Sequence, residues 1–330
     1  MTTVLRLSPD HPEPDLIADA AACLRRGGLV AFPTETVYGL GVAALDAAAV
    51  RRLFAAKGRP ADDPLIVHIA SPDVLAPLIA VRPPVVAALA ARFWPGPLTL
   101  VLHRSRLVPD AVTAGLDTVA VRVPAHPVAH ALLAAAGIPV AAPSANLFSR
   151  PSPTQAAHVL EDLDGRIDLV LDGGSTPVGV ESTVLDLSGD VPEVLRPGAV
   201  TLEMLRPLLP AVRMRVVAGA QGPQRSPGLL TRHYSPRAPL TLYEGPPDRV
   251  LARIRQDADI AQAAGRRVGL LLPHADAAVT AARLYAALRE FDATGVEEIF
   301  ASLPPATDGL SQAVADRLRR AAAGRVVYCA

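Results

Sequence analysis

Leu29-Val30-Ala31-Phe32-Pro33-Thr34-Glu35-Thr36-Val37-Tyr38-Gly39-Leu40-Gly41, a helical segment, and then Lys57-Gly58-Arg59-Pro60-Ala61-Asp62-Asp63-Pro64 form the stretch on which the fold turns. Leu29 to Phe32 is short, apolar and stopped by Pro33, which predicts a buried strand opening into a loop at its C-terminal end. Asp46 is a suitable N-cap for a helix that carries Val50, Leu53 and Phe54 on one face and ends at Lys57. Two cations, Lys57 and Arg59, therefore leave the helix beside a loop rich in hydroxyls and glycine. Backbone N–H groups and hydroxyls donate there while Lys and Arg supply charge, so the combination suits an anion. A solvated basic helix end, favoured by the helix dipole, accounts for the basic pair equally well.

The chain has 330 residues, more than one hydrophobic core usually holds, and two domains are expected. Hydrophobic residues make up 50% and charged residues 19%, enough for burial and against disorder. The 32 basic residues balance the 32 acidic ones, which argues against a surface built to coat nucleic acid. With Cys23 and Cys329 as the only cysteines, a disulfide framework and a four-cysteine zinc site are excluded. Met1 to Pro14 carries acids and prolines where a secretory leader has a basic start and an apolar run, and apolar runs such as Val268 to Leu272 are too short to span a bilayer. A soluble cytoplasmic protein without a membrane partner is expected.

Outward from the opening stretch, strands are predicted at Val4–Leu7, Leu65–Ile69, Leu98–His103, Thr118–Val123, Val140–Ala142, Leu169–Leu171, Ser182–Leu187 and Val194–Arg196. Helices are predicted at Asp15–Arg26, Val85–Trp94, His126–Ala136 and Thr154–Leu163. These elements intermingle without strict alternation, which predicts a mixed, twisted, open α/β sheet flanked by helices. Ala218 to Pro239 has the Gly/Pro/Ser/Gln composition of a linker. From Leu240 onward strand and helix alternate, the pattern of a smaller, Rossmann-like parallel α/β domain. The expected divisions are a first domain over 1–210, a linker over 211–239 and a second domain over 240–330.

No P-loop pattern is present. Gly39-Leu40-Gly41-Val42-Ala43-Ala44 fits a relaxed dinucleotide fingerprint, yet the turn from Pro33 to Leu40 is too long for that motif, and its glycines are read as turn residues of a substrate loop. Pro143-Ser144-Ala145-Asn146 puts a hydroxyl and an amide at a strand end, where open α/β sheets bind ligands, although Ser and Asn are also common in turns. Thr118 and Arg122 share a strand face, so the Arg needs either an ion partner or a polar pocket. His68, His103 and Glu35 lack metal-ligand spacing, and no nucleophile elbow occurs.

Together these segments resemble the long, two-domain YrdC-type threonylcarbamoyl-AMP synthases. The resemblance rests on Pro33 to Gly41, Lys57-Gly58-Arg59-Pro60, Pro64 to His68, Trp94 to Thr99 and Val121-Arg122-Val123-Pro124. It continues through Pro143 to Asn146, Pro151-Ser152-Pro153-Thr154, Glu181-Ser182-Thr183-Val184, Arg196-Pro197-Gly198, Ser226-Pro227-Gly228 and His233-Tyr234-Ser235-Pro236. It implies a nucleotidyltransferase that converts L-threonine, bicarbonate and ATP into threonylcarbamoyl-AMP and pyrophosphate, for tRNA threonylcarbamoyladenosine formation. It further implies that Thr36, His68, Arg122 and Ser182 hold threonine. ATP would be held by Arg59, Asp63, Thr118, Ala142 through its backbone, Ser144, Asn146, Ser152, Arg196 and Tyr234. Lys57 and Arg59 would act on the phosphates as the catalytic cations, with Mg2+ carried by the phosphates and not by protein side chains. Implied partners are the tRNA threonylcarbamoyl-transfer machinery and a weak contact with tRNA, and the linker would cross the active site with Tyr234. Asp63 departs from the Asn of many relatives, and Ser149 from their frequent Gly. An RNA-binding module of the same fold without adenylylation activity is the competing reading, and salt-sensitive RNA affinity would favour it. The hydrogenase-maturation carbamoyltransferases share the fold but need zinc-finger cysteines that this chain lacks.

Overall fold

The computed structural model describes residues 1–215, 233–305 and 309–330. Most of the expected linker, including Ser226-Pro227-Gly228, falls outside the described residues. The first part of the chain supplies strands β1 (Thr3–Arg6), β2 (Val30–Phe32), β3 (Gly39–Ala43), β4 (Ile66–His68), β5 (Leu98–His103) and β6 (Thr118–Arg122). It continues with β7 (Val140–Ala141), β8 (Leu169–Asp172), β9 (Thr183–Asp186), β10 (Glu193–Arg196) and β11 (Arg213–Met214). Its helices are α1 (Pro14–Arg25), α2 (Ala47–Lys57), α3 (Val85–Phe93), α4 (Asp110–Thr113), α5 (Pro127–Ala136), α6 (Ala156–Leu163) and α7 (Leu202–Leu205).

The strands form one mixed sheet in the order β1-β8-β2-β3-β7-β4-β6-β5-β9-β10-β11. Apolar residues of α1 and α5, such as Leu24 and Leu132, pack with Val30, Phe32 and Leu171. Leu53 of α2 and Leu89 of α3 pack in a larger core with Leu40, Val67, Leu100 and Val121. A small cluster of Ile66, Val101, Ala120, Val184 and Leu195 marks a sheet face whose apolar set comes from strands alone. Side chains alternate along a strand, so His68 shares the face of Ile66, and Arg122 that of Ala120. This alternation carries polar groups to the end of that face.

Asp46 caps α2, accepting from the backbone N–H groups of Ala48 and Ala49, and Gly58 closes the helix with a left-handed φ of 60°. The glycine-rich segment differs from its sequence reading, because Gly39 and Gly41 lie in β3, antiparallel to β2, and not in a turn. The reason is steric. A Cβ on Gly41 would stand 2.8 Å from the Phe32 ring and 2.9 Å from Val140 Cγ1, closer than real Cβ contacts allow.

The second part of the chain contributes β12 (Leu240–Glu244), α8 (Pro247–Ala263), β13 (Val268–Leu271), α9 (Ala277–Ala293), β14 (Glu298–Ser302), α10 (Gly309–Ala322) and β15 (Val326–Tyr328). Its four strands are parallel in the order β13-β14-β12-β15. Residues from α9 and α10, including Ala281, Leu284, Tyr285, Val314 and Leu318, share a core with Val37, Val180 and Tyr234. The smaller sheet unit therefore packs directly on the loops at the end of the larger sheet.

Candidate active site

A narrow cavity of about 50 Å³ opens where β2, β4, β6 and β7 end and β9 begins. Its walls carry Thr36, Arg59, His68, Arg122, Ala142, Ser144, Ser182, Arg196 and Tyr234, each singled out in the sequence. Thr34, Val37, Gly39, Ile66, Pro143, Glu181 and His233 complete the lining. Lys57, Asp63, Thr118, Asn146 and Ser152 are buried but stand outside that lining. Convergence of segments so distant in sequence follows from the strand order, which sets β7, β4 and β6 side by side, and from the loop after β2, which meets Arg122 and the segment before β9.

Arg122 resolves the question its position posed. It forms an ion pair with Glu35 at 2.8 Å and also faces the cavity. Its guanidinium donates to Thr36 Oγ1 at 3.0 Å and to the Gly96 carbonyl at 3.2 Å. Glu35, which the sequence offered only as an unsupported metal ligand, instead accepts from the Ala125 N–H and counterbalances Arg122 from behind. Arg59 is arranged similarly, paired with Asp63 at 3.0 Å and donating to the Asp63 and Pro64 carbonyls. Burial pushes the Asp63 carboxyl up from the usual carboxylate range, and the Arg59 guanidinium opposes that shift. Since Asp63 and Glu35 lie behind their partners, two guanidiniums turn toward the cavity.

Arg196 donates to the Ser182 carbonyl and hydroxyl, at 3.1 and 3.2 Å, and Ser182 Oγ lies 2.8 Å from Thr99 Oγ1. His68 is held down to about 3 by burial and then by the Arg122 charge, so its imidazole is neutral near pH 7. Its buried Nδ1 has no hydrogen-bond partner among the described residues. The backbones of Ile66 and Val140 lie within hydrogen-bonding reach of the ring, and a neutral imidazole at a cavity wall can also pair with a hydroxyl.

Lys57 holds the loop and does not line the cavity. Its ammonium donates to the carbonyls of Ser144 and Asn146, and the Asn146 amide donates onward to Leu147 and Arg150. Burial, followed by the nearby Arg59 charge, pushes the Lys57 amine well below its ordinary value. Ser152 Oγ donates to Glu181 Oε1 at 2.6 Å. Burial pushes the Glu181 carboxyl up, but Arg317, Arg196 and the Ser152 hydroxyl outweigh it and bring it to about 2. Tyr234 has a left-handed φ of 60°, packs its ring 4.1 Å from His233, and is pushed up to about 12, chiefly by burial. Neither Glu181 nor His233 carried a role in the sequence reading, although both lie inside motifs quoted there; nothing local announced that Glu181 would meet the second sheet unit.

Ser149, the second departure from the family pattern, also has a left-handed φ, 68°, which explains why Gly suits that position. Among the described residues, no group of three His, Cys, Asp or Glu side chains could hold a metal ion. No helix among them is long and apolar enough to cross a membrane.

Residues 22–198 match the Sua5/YciO/YrdC family, described as "Telomere recombination", and residues 200–323 match the family described as "Threonylcarbamoyl-AMP synthase, C-terminal domain". The threonylcarbamoyl-AMP synthase of Bacillus subtilis is 46% identical over 343 aligned residues, covering 97% of this chain and 96% of that protein. That of Pyrococcus abyssi is 46% identical over 321, covering 93% and 94%. The crystal structure of P. abyssi Sua5 complexed with L-threonine superposes with a TM-score of 0.93 at 43% identity, covering 99% of each chain. Escherichia coli YciO matches 60% of this chain and 97% of its own, with a TM-score of 0.54 at 28% identity.

Proposed function

The chain belongs to the threonylcarbamoyl-AMP synthase family, and we propose that it acts as a nucleotidyltransferase joining L-threonine, bicarbonate and ATP into threonylcarbamoyl-AMP with release of pyrophosphate. One observation carries the reading. Arg59, Arg122 and Arg196 line one narrow cavity, and the carboxylates paired with Arg59 and Arg122 stand outside its walls. A cavity so lined favours two anions that would otherwise repel.

Threonine, which the P. abyssi relative binds, takes the Arg122 side. Its carboxylate meets the guanidinium, and its hydroxyl meets the His68 ring, with Thr36 and Ser182 beside them. A site that leaves a buried polar group unpaired loses about 1–3 kcal/mol, so a substrate without the hydroxyl should be rejected. The threonine amine attacks the carbon dioxide that bicarbonate yields on losing hydroxide, and the proton the amine gives up joins that hydroxide, so that carbamate and water result. One carbamate oxygen then attacks the α-phosphorus of ATP, the bond to the bridging oxygen breaks, and pyrophosphate leaves with the electron pair. Arg59 and Arg196 offset the charge that grows on the leaving group, while Ser144, Tyr234 and the Ala142 backbone seat the nucleotide and Ser152 holds Glu181 behind them. Lys57 serves by fixing the Ser144 and Asn146 carbonyls, so that the Ser144 hydroxyl faces the cavity. Magnesium, carried by the phosphates, would supply further charge neutralisation. Catalysis on this scheme is positioning and electrostatics, with no covalent enzyme intermediate. The product would feed the machinery that modifies tRNA. Pyrophosphate release tests the reading: it should require threonine and bicarbonate together, and release with either omitted would refute it.

A further inference from the structure

Glu181 stands at the junction of the two sheet units and lines the cavity. Just before it, α9 passes so close to Gly179 that a Cβ there would lie 2.4 Å from the Ala281 carbonyl oxygen and from Ala282 Cα. On its other side, the Gly179 N–H donates to the Thr36 carbonyl at 3.0 Å. The segment leading to Glu181 is thus held between the substrate loop and a helix of the smaller unit. From α9, Tyr285 donates its hydroxyl to Glu181 Oε2 at 2.9 Å and approaches Oε1 at 3.1 Å. From α10, Arg317 Nε donates to Oε2 at 2.9 Å while Nη1 donates to the Pro197 carbonyl. Oε1 also accepts the Ser152 hydroxyl. The Arg317 guanidinium lies 5.7 Å from the centre of the Tyr234 ring, and the Tyr234 and Tyr285 rings are 5.4 Å apart.

We propose that Tyr285 and Arg317 are positioning residues for the nucleotide half of the site, with the C-terminal unit orienting Tyr234 through its ring contacts with Tyr285 and Arg317 and Ser152 through the Glu181 carboxylate. The inference rests on the function proposed above for its kinetic consequences but not for its structural ones. Docking of the two units does not itself need these contacts, because Arg289 pairs with Asp162 at 2.7 Å and Arg150 with Asp292 at 3.0 Å elsewhere on the interface. A buried carboxylate keeps one orientation only while its donors are fixed. Removing one frees it to rotate and to draw Ser152 away. The expected effect falls on ATP, since Tyr234 lines that half and Ser152 is bonded to Glu181 beside it, while Arg122 and Thr36 keep their mutual bond.

The test uses the full chain carrying Tyr285→Phe, Arg317→Met, Arg317→Lys or Tyr243→Phe. Tyr285→Phe keeps the packing and deletes one donor, and should raise the KM for ATP roughly tenfold, the usual weight of a bond to a charged group. The KM for threonine should stay within about twofold of its original value. Arg317→Met should do at least as much, and Arg317→Lys should recover part of the loss. Tyr243→Phe, which deletes a hydroxyl bond to Asp257 inside the smaller unit and away from Glu181, should lower thermal stability and leave the KM for ATP unchanged. Hydrogen exchange adds a readout independent of the chemistry: Tyr285→Phe should speed exchange in peptides over Pro151–Thr154 and Glu181–Thr183, and Tyr243→Phe should not. Unchanged exchange in those peptides overturns the proposal, as does an equal rise in both KM values. An unsubstituted protein that makes no threonylcarbamoyl-AMP would count against the proposed function alone, and the exchange result would still decide the positioning role.

Discussion

Replacing Arg122 separates what holds the fold from what binds the substrate. The Arg122 and Glu35 side chains are 4% and 10% exposed, so the pair they form at 2.8 Å is a buried one. Arg122→Met leaves the buried Glu35 side chain without its ion partner, with the Ala125 N–H still donating to it, and also removes the bonds to Thr36 and Gly96. Breaking one side of a buried pair costs about 3–5 kcal/mol, so the urea midpoint of this variant should fall steeply. Replacing both partners with apolar residues of similar size is often nearly neutral, so Arg122→Met combined with Glu35→Leu should recover most of that stability. The double variant should nevertheless bind no threonine by calorimetry, because the guanidinium that meets the substrate carboxylate is gone. Two results would refute the reasoning. A loss below about 1 kcal/mol in the single variant would show that the pair carries little weight in the fold. Threonine binding retained by the restabilised double variant would show that Arg122 serves the fold alone.

Gly41→Ala forces a Cβ between Phe32 and Val140 and should cost about 1–3 kcal/mol in thermal or urea unfolding. Ser149→Gly relieves a left-handed residue, φ 68°, and should instead raise stability by about 1 kcal/mol in the same assay. His68 and His233 are both held at about 3, mainly by burial, against an ordinary value of 6.5. The unfolded chain therefore binds more protons between those limits, and the stability these neutral rings contribute, complete above pH 6.5, is lost as pH falls toward 3. Urea midpoints measured across that range should decline, and His233→Asn should flatten the decline. Asp63→Asn removes a buried negative charge while the backbone carbonyls of residues 63 and 64 can still accept from Arg59, so the KM for ATP should fall roughly threefold.

Much of this architecture could be read from local pattern. The Asp46 cap and the apolar face of α2 are short-range signals, and α2 forms where they predict. The parallel C-terminal sheet followed from the alternation of strand and helix after Leu240. The strand β3 did not, because glycine has weak strand preference and its reason for being there is the Phe32 ring on the neighbouring strand. The same limit applies to the site. Arg122 visibly needed a partner, but nothing near it in sequence named Glu35, which only the pairing of distant strands supplies. The ammonium of Lys57 turns to the loop carbonyls of Ser144 and Asn146, a direction that residue type and spacing do not encode. Tyr285 and Arg317 lie in ordinary helical sequence, and their part becomes apparent only once the two units are docked against Glu181.

The central claim is that one cavity joins threonine, bicarbonate and ATP. Mass spectrometry of the purified protein with ATP, L-threonine and carbon-13 bicarbonate tests it most directly. The account requires threonylcarbamoyl-AMP carrying the heavy carbon, formed in equal amount with pyrophosphate and absent when either threonine or bicarbonate is left out. Pyrophosphate without that adduct, or an adduct lacking the label, would contradict it.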